Sequence, residues 1–145
     1  MKVTMLLADA VQEQGTKLFI LGGGWAFTGP DVPPMALAIV VEVPWMETNE
    51  KHSFRLSLQD EDGQLAQIGP DAQVIQFQGE MEVGRPPGHP PGVPFNVPLA
   101  INIPPLPLTP GKRYVWVFDI DGKSDPSWRT PFGIRPRQAM PPSGT

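Results

Sequence analysis

Short apolar segments, separated by proline, glycine or aspartate, form the main pattern along this chain. Several of these segments alternate with polar residues at a spacing of two, which is typical of β-strands. No stretch of useful length shows the period of an amphipathic helix, and no internal repeat is present. The pattern therefore predicts an all-β protein built from short strands and rigid turns.

Residues 108–122 contain the strand around which we expect the other strands to pack. Apolar and aromatic side chains occupy both of its faces, as in a strand that is covered on both sides. Trp116 is the tryptophan whose position best suits the core, and Asp121-Gly122 is typical of a hairpin turn. Upstream, Leu108-x-Pro110-Gly111-x-x-Tyr114 is similar to the tyrosine corner of Greek-key sandwiches, in which the tyrosine hydroxyl bonds the preceding backbone.

The remaining strands are predicted from alternation or from continuous apolar runs. They cover residues 2–10, 17–25, 35–43, 52–59, 64–68, 74–78, 97–103 and 128–134. The first two should form a hairpin, 35–43 a central strand, 64–68 an antiparallel return beside 52–59, and 97–103 an edge strand, since it contains Pro98. We predict an immunoglobulin-like or fibronectin type III-like Greek-key β-sandwich of seven to nine strands, with residues 1–134 as its single domain.

Composition supports a globular domain that lacks thiol chemistry. The chain has 145 residues with 20 prolines and 15 glycines, and its 40% hydrophobic content argues against disorder. Because it has no cysteine, disulfides, thiolate metal sites and thiol nucleophiles are excluded, and cytoplasmic synthesis is the simplest interpretation. Residues 1–9 have too short an apolar run for a signal peptide or a membrane span.

Charge is unevenly distributed along the chain. The formal net charge of -4 disfavours nucleic acid as a partner. Residues 1–84 hold 4 basic and 12 acidic side chains, a net of -8, whereas residues 85–145 hold 7 basic and 3 acidic ones, a net of +4. This asymmetry is either an accident of surface composition or a sign of opposite-signed faces that let subunits dock head to tail.

Motifs that would bind phosphate or metal are incomplete. The triplet Gly22-Gly23-Gly24 is not followed by Lys-Ser/Thr or by a helix, so we interpret it as a bulge or a close approach of backbone, next to a structural Trp25. The segment 119–125 has alternate acidic residues but lacks the closing glutamate of a calcium loop, and a hairpin turn is the better interpretation. We therefore expect no metal site and no cofactor.

Catalytic groups are equally scarce. The two histidines, His52 and His89, show no metal-ligand spacing, and His89 is expected to be exposed in a loop. The acidic cluster at residues 60–62 lies on a predicted tight turn, where carboxylates are normally solvated. Since no G-x-S-x-G elbow or activated nucleophile is present, the sequence predicts a protein that is not an enzyme.

The amino-terminal region resembles a known group of proteins. Leu6-Leu7-Ala8-Asp9-Ala10, followed by G-x-K-L-F-I-L-G-G-G-W at residues 15–25, resembles the opening of a family of small uncharacterised proteins from actinobacteria and their phages. The similarity covers roughly the first 45 residues. It implies a phage or bacterial context and supplies no catalytic residues.

Proline-rich segments are the predicted interaction elements. Residues 85–96 should form an extended polyproline-like loop, either a docking arm or a rigid crossover between two sheets. A tail at residues 135–145 should also dock on a partner, through its basic residues and its extended length. The predicted interaction residues are Arg85, Pro86, Pro87, His89, Pro90, Pro91, Arg135 and Arg137.

The predicted function is binding or structural assembly with other protein subunits and without a membrane partner. Combined with the resemblance, this favours an accessory subunit that decorates a phage capsid, located on the virion surface after synthesis. The alternative is a cytosolic ligand-binding or carbohydrate-binding module, in which exposed tryptophans such as Trp45 and Trp128 stack on sugar rings.

Overall fold

The computed structural model describes residues 1–138. This part of the chain contains eleven β-strands and one 3-10 turn at Trp45–Glu47. The strands are β1 (Lys2–Gln14), β2 (Lys17–Gly23), β3 (Phe27–Thr28), β4 (Met35–Val43), β5 (Lys51–Gln59), β6 (Gln67–Ile68), β7 (Gln73–Val74), β8 (Gln76–Glu82), β9 (Phe95–Ile103), β10 (Arg113–Ile120) and β11 (Lys123–Ile134). Eight of these strands have seven residues or more, within the predicted range.

Two sheets face each other across one main core. The first sheet has the order β2-β1-β4-β9, the second has the order β3-β11-β10-β5-β8, and β6 and β7 form a separate ribbon. Large buried side chains of both sheets meet between them. They include Leu7, Leu37 and Ile39 from the first sheet and Leu56, Trp116 and Phe118 from the second. The prediction of an all-β sandwich is confirmed.

Strand positions follow the apolar pattern closely in the first sheet. β4, an unbroken apolar run, lies between β1 and β9 and is buried along most of its length, as a central strand should be. β9 contains Pro98 and lies at the sheet edge, where a residue without an N–H is tolerated. β1 and β2 form the predicted hairpin, although β1 continues to Gln14.

The tyrosine corner and the core tryptophan organise the second sheet. The Thr109 N–H donates a hydrogen bond of 3.0 Å to the Tyr114 hydroxyl, the contact that the motif predicts. Trp116 is fully buried and stacks near Phe132 with ring centroids 6.4 Å apart. β10 ends at Asp121-Gly122, where both residues have positive φ, as a tight hairpin turn requires.

One local prediction holds only in part, and another is wrong. Residues 64–66 return antiparallel beside the end of β5: Leu65 forms a bridge with Gln59, and the Ala66 N–H donates to the Leu58 carbonyl at 2.9 Å. Residues 67–68 instead form β6 and pair with β7. Residues 85–94 are not an extended polyproline helix but contain two turns, closed by hydrogen bonds from the His89 N–H to the Pro86 carbonyl and from the Val93 N–H to the Pro90 carbonyl. Glycines at 88 and 92, both with positive φ, permit these turns.

Strand connections cross repeatedly between the two sheets. The chain first crosses to the second sheet at β3 and returns at β4. It then crosses between β4 and β5, between β8 and β9, and between β9 and β10. Such crossings are expected of a Greek-key sandwich. The immunoglobulin-like or fibronectin type III-like assignment is not confirmed and stays a prediction.

Candidate functional site

Residues 9–23 form a hairpin arm that folds over the outer face of its own sheet. The first half of β1 pairs with β4, and its second half pairs with β2. On the inner side of the arm, Val11 and Leu18 pack against Ala36 and Ala38, which alternate along β4 with the core residues and so lie on the opposite face of the sheet. The arm therefore belongs to the packed body of the protein.

Asn102 of β9 fastens the arm to the sheet through two hydrogen bonds. Its side-chain oxygen accepts from the Val11 N–H at 3.2 Å, and its side-chain nitrogen donates to the Val11 carbonyl at 2.9 Å. The amide side chain thus imitates a neighbouring backbone peptide, because it offers one acceptor and one donor to the same residue. The position of the arm is fixed by this pair together with the small apolar cluster beneath it.

The glycine triplet lets the arm bend. Gly22 has φ of 61°, and a Cβ on it would collide with the Asp9 carboxylate of the facing strand. A Cβ on Gly23 would lie 3.0 Å from the Leu6 side chain. The Gly24 N–H donates to the Leu7 carbonyl at 2.7 Å and ends the pairing. Backbone therefore approaches side chains closely at this triplet, which leads directly into Trp25, packed edge-on against Phe132.

The outer surface of the arm is apolar and exposed. Phe19 is 53% exposed and Leu21 70%, and their side chains share the outer face of the strand. Ile20, 45% exposed, lies opposite Val11 and therefore on the other face, towards the strand's open edge. Phe19 and Leu21 face Gln12 and Ala10 across the hairpin, and both of these residues are also exposed. Contiguous apolar surface of this kind marks an interaction site more often than it marks a free surface.

β2 is also the least protected sheet edge. At the other edges, β9 contains Pro98, β8 carries Glu80 and Glu82, and β11 contains Pro126 and Pro131 where β3 does not cover it. Proline and charge are the usual means by which sheet edges avoid pairing with other chains. β2 has no proline, its one charged residue, Lys17, lies at its first position, and among the described residues it pairs only with β1.

Arg85 is bound to its own chain. Its guanidinium lies 4.2 Å from the centroid of the Trp45 ring, its Nε donates to Thr48 Oγ1 at 2.6 Å, and one Nη donates to the Trp45 carbonyl at 2.9 Å. These contacts attach the start of the proline-rich segment to the 3-10 turn. The segment therefore links β8 in one sheet to β9 in the other, and its Arg85 side chain is occupied.

His89 is half-buried, which corrects the prediction that it is exposed. Its ring stacks on Phe95 at a centroid distance of 3.6 Å and lies parallel to the Trp45 ring at 6.0 Å. The Val93 carbonyl accepts a hydrogen bond from its Nε2 at 2.8 Å. The neighbouring Pro86, Pro87, Pro90 and Pro91 remain exposed.

The described part of the tail lies against the loop after β3. The Arg135 guanidinium reaches the Gly29 carbonyl at 3.4 Å, and Arg137 forms an ion pair of 2.7 Å with Asp31. Because both partners of that pair are exposed, it contributes little to stability. The rest of the predicted tail, residues 139–145, lies outside the described residues.

His52 is buried and forms an ion pair with the partly exposed Asp121, which sequence reasoning did not predict. Its Nδ1 donates to Asp121 Oδ2 and its Nε2 to the Glu47 carbonyl, both at 2.7 Å, so both ring nitrogens face acceptors and the imidazolium form fits best. Burial lowers the pKa of His52, but these two hydrogen bonds and the nearby carboxylates outweigh it, and the pKa is raised. The His52 and Ser53 hydrogen bonds lower the pKa of Asp121. The pair joins the 3-10 turn to the β10–β11 hairpin.

A polar hollow of about 350 Å³ lies on the second sheet beside β8. Arg55, Glu80 and Asp119 line it together with Ser53 and Gln78. Within residues 1–138, no three histidine, aspartate or glutamate side chains converge in a way that would hold a metal ion. The only helical segment described is the 3-10 turn, and no helix there is long and apolar enough to cross a membrane.

The exposed residues Phe19, Ile20 and Leu21 were missed as site residues at the sequence level. Their apolar run predicts only a strand, because apolar strands are normally buried. A signal was available for the first half of this strand: Phe19 faces Gln12 and Leu18 faces Glu13, and a strand whose partner is polar on both faces is a poor candidate for the core.

Comparison with protein families finds a match over most of the chain. Residues 3–135 match the sequence profile of a family described as "Family of unknown function (DUF6941)". No curated protein and no solved structure matches the chain significantly. The family description carries no activity, so the resemblance to actinobacterial and phage proteins stays a prediction. Since the match spans nearly the whole described chain, the protein belongs to this family of unknown function.

Proposed function

We propose that this chain is a protein-binding subunit of a larger assembly and that β2 is the strand through which it binds. One observation carries the proposal: β2 combines an unpaired edge with three consecutive exposed hydrophobic residues, Phe19, Ile20 and Leu21. A free edge offers main-chain hydrogen bonds to an incoming strand, and alternate side chains supply specificity.

The position of β2 suits docking. Val11 and Leu18 anchor the arm on the sheet, and Asn102 bonds its backbone, so the docking strand is already ordered before binding. Preorganisation reduces the conformational entropy that binding must overcome. A binding role explains why exposed apolar residues persist on a strand that stays fixed to a well-packed body.

A phage particle is the context that we propose for this binding. The resemblance of residues 6–25 to actinobacterial and phage proteins motivates it, and an accessory subunit that attaches to a capsid needs a docking surface and no reacting groups. The docking element in this proposal is β2, because Arg85 and His89 of the proline-rich segment are engaged within their own chain.

A carbohydrate-binding module is the weaker alternative. Trp116 is buried in the core, Trp25 packs on Phe132, and Trp128 is half-buried against the core cluster. Trp45 is covered on one side by the Arg85 guanidinium. The four tryptophans therefore do not form a shared, open platform on which sugar rings stack.

Site-specific photo-crosslinking tests the proposal. A photoreactive amino acid replaces Leu21 in one variant and Met46 in a control, and both are expressed in cells that naturally produce the chain. Met46 lies on the 3-10 turn and is 81% exposed, more than Leu21, so exposure alone favours reaction at the control position. We expect one discrete adduct from Leu21 and none from Met46.

The adduct is then identified by mass spectrometry. An adduct with a capsid or other particle protein supports the phage context, and an adduct with any single defined protein supports the binding role. Absence of a discrete Leu21 adduct, or the same adduct pattern from both positions, would contradict the proposal.

A further inference from the structure

We infer that the strand which pairs with β2 is β2 of a second copy of this chain, in an antiparallel arrangement with a two-fold axis at Ile20. This inference rests on the proposed function, because it names the partner of the same docking strand. It predicts an isologous dimer in which the two first sheets join into one continuous sheet.

The hairpin geometry decides which backbone groups of β2 are free. A two-residue loop, Gly15-Thr16, joins Gln14 to Lys17, and residues that flank such a loop form a hydrogen-bonded pair. Hydrogen-bonded and non-bonded pairs alternate along an antiparallel ladder, so Lys17 and Phe19 bond to β1. The N–H and carbonyl groups of Leu18 and Ile20 therefore point to the open edge.

This alternation selects the register of the dimer. Only residues whose backbone groups point outward can exchange hydrogen bonds with a second copy, which places Ile20 opposite Ile20 of the second copy. Leu18 then faces Gly22 of the second copy, where that copy's own Asp9 carboxylate takes the place of a side chain. On the exposed face, Phe19 meets Leu21 of the second copy, an aromatic–aliphatic cross-strand pair.

Charge favours the antiparallel direction. Lys17 is the only charged residue of β2. An antiparallel pair places the two Lys17 side chains at opposite ends of the joined strands, roughly 20 Å apart at the usual rise per residue. A parallel pair would place them side by side, where like charges repel.

The buried area indicates a reversible dimer. At roughly 200 Å² for a fully exposed side chain of this size, Phe19, Ile20 and Leu21 together present about 300 Å² per copy. A standard interface buries about 800 Å² per partner, so the apolar contact is smaller and main-chain pairing must supply much of the affinity. We therefore expect a dimer that dissociates on dilution.

Cysteine scanning tests the register directly, because the natural chain has no cysteine. In the proposed dimer, the Cα atoms of the two Ile20 residues lie about 5.5 Å apart, within the range of a disulfide. The two Leu21 residues are offset by two positions along the strands and lie about 8 Å apart, beyond that range. Leu21→Cys is thus a matched control for Ile20→Cys.

The two purified variants are treated with a mild oxidant, and disulfide-linked dimer is followed on non-reducing gels. We expect Ile20→Cys to cross-link at least about tenfold faster than Leu21→Cys. Random collision predicts the reverse order, since Leu21 is the more exposed of the two residues. Equal rates, or a faster Leu21→Cys variant, would overturn the proposed register.

Sedimentation of the unmodified chain tests the dimer itself. The average mass should rise from 15.8 kDa towards twice that value as the concentration increases. A constant mass of 15.8 kDa at every concentration would overturn the inference. If the chain stays monomeric while photo-crosslinking at Leu21 captures a different protein, the dimer fails and the proposed function stands. If neither experiment detects a partner, both fail.

Discussion

Asn102→Ala is the substitution that should weaken the attachment of the hairpin arm with the least change to the rest of the fold. It removes the acceptor for the Val11 N–H and the donor for the Val11 carbonyl. Val11 is buried, so its backbone groups have poor access to replacement water. The substitution leaves the main core untouched, because Asn102 is absent from that cluster.

The two hydrogen bonds between Asn102 and Val11 determine how much stability the substitution should remove. A typical intramolecular hydrogen bond contributes about 0.5–1.5 kcal/mol to stability, and leaving a buried partner unsatisfied costs about 1–3 kcal/mol. Because the Asn102 side chain is itself exposed, water replaces part of what is lost. We expect the free energy of unfolding to fall by about 1–2 kcal/mol, with a larger local effect on the arm.

Urea denaturation measures the decrease in the free energy of unfolding of the whole protein. Amide hydrogen exchange measures how much more often the arm opens locally. Exchange at Val11 should accelerate in Asn102→Ala, because the arm opens more often. Asn96→Ala is the matched control: Asn96 is an exposed asparagine on the same strand. An Asn102→Ala protein with the stability and the Val11 exchange rate of the Asn96→Ala control would refute the assigned role of this contact.

Three further substitutions test other parts of the fold. Tyr114→Phe removes the tyrosine-corner hydrogen bond and should lower the free energy of unfolding by about 1 kcal/mol in urea titrations; an unchanged value would contradict its role. The pKa of His52 is raised above 6.5 in the folded state, so its stabilisation is complete below that pH and is lost as pH rises through the folded pKa. The melting temperature should therefore fall over that range, and an equal fall in His52→Gln would argue against the ion pair. Gly79→Ala places a Cβ 2.5 Å from the Phe54 ring and should lower the free energy of unfolding by about 1–3 kcal/mol. Gly84→Ala is the control, since no neighbour lies closer than 3.9 Å to its Cβ, and it should have the stability of the wild type. Equal stabilities of the two variants would show that Phe54 moves aside.

Much of the fold was predictable because its signals are local. The unbroken apolar run of β4, Pro98 in β9 and the spacing that leads to Tyr114 each indicate a position in the sandwich without knowledge of distant residues. Errors arose where pairing depends on residues far apart in sequence. Residues 64–66 return beside the end of β5 as predicted, but β8 takes the place beside β5 along most of its length.

The candidate site was harder to predict, since exposure depends on what the rest of the chain leaves uncovered. Nothing within residues 17–23 distinguishes an apolar strand in a core from one that lies over the outer face of its own sheet. Likewise, proline content leaves both a docking arm and a rigid crossover open for residues 85–94. The contacts of Arg85 with Trp45 and Thr48, which favour the crossover, depend on a turn about forty residues earlier.

Amide hydrogen exchange along β2 tests the central claim most directly. In the dilute, isolated chain, the amides of Leu18 and Ile20 should exchange rapidly because they face an open edge, and those of Phe19 and Leu21 should exchange slowly because they bond to β1. In the assembled state recovered by cross-linking at Leu21, all four should exchange slowly. Protection of Leu18 and Ile20 in the dilute chain, or rapid exchange of both in the assembly, would contradict a docking role for β2.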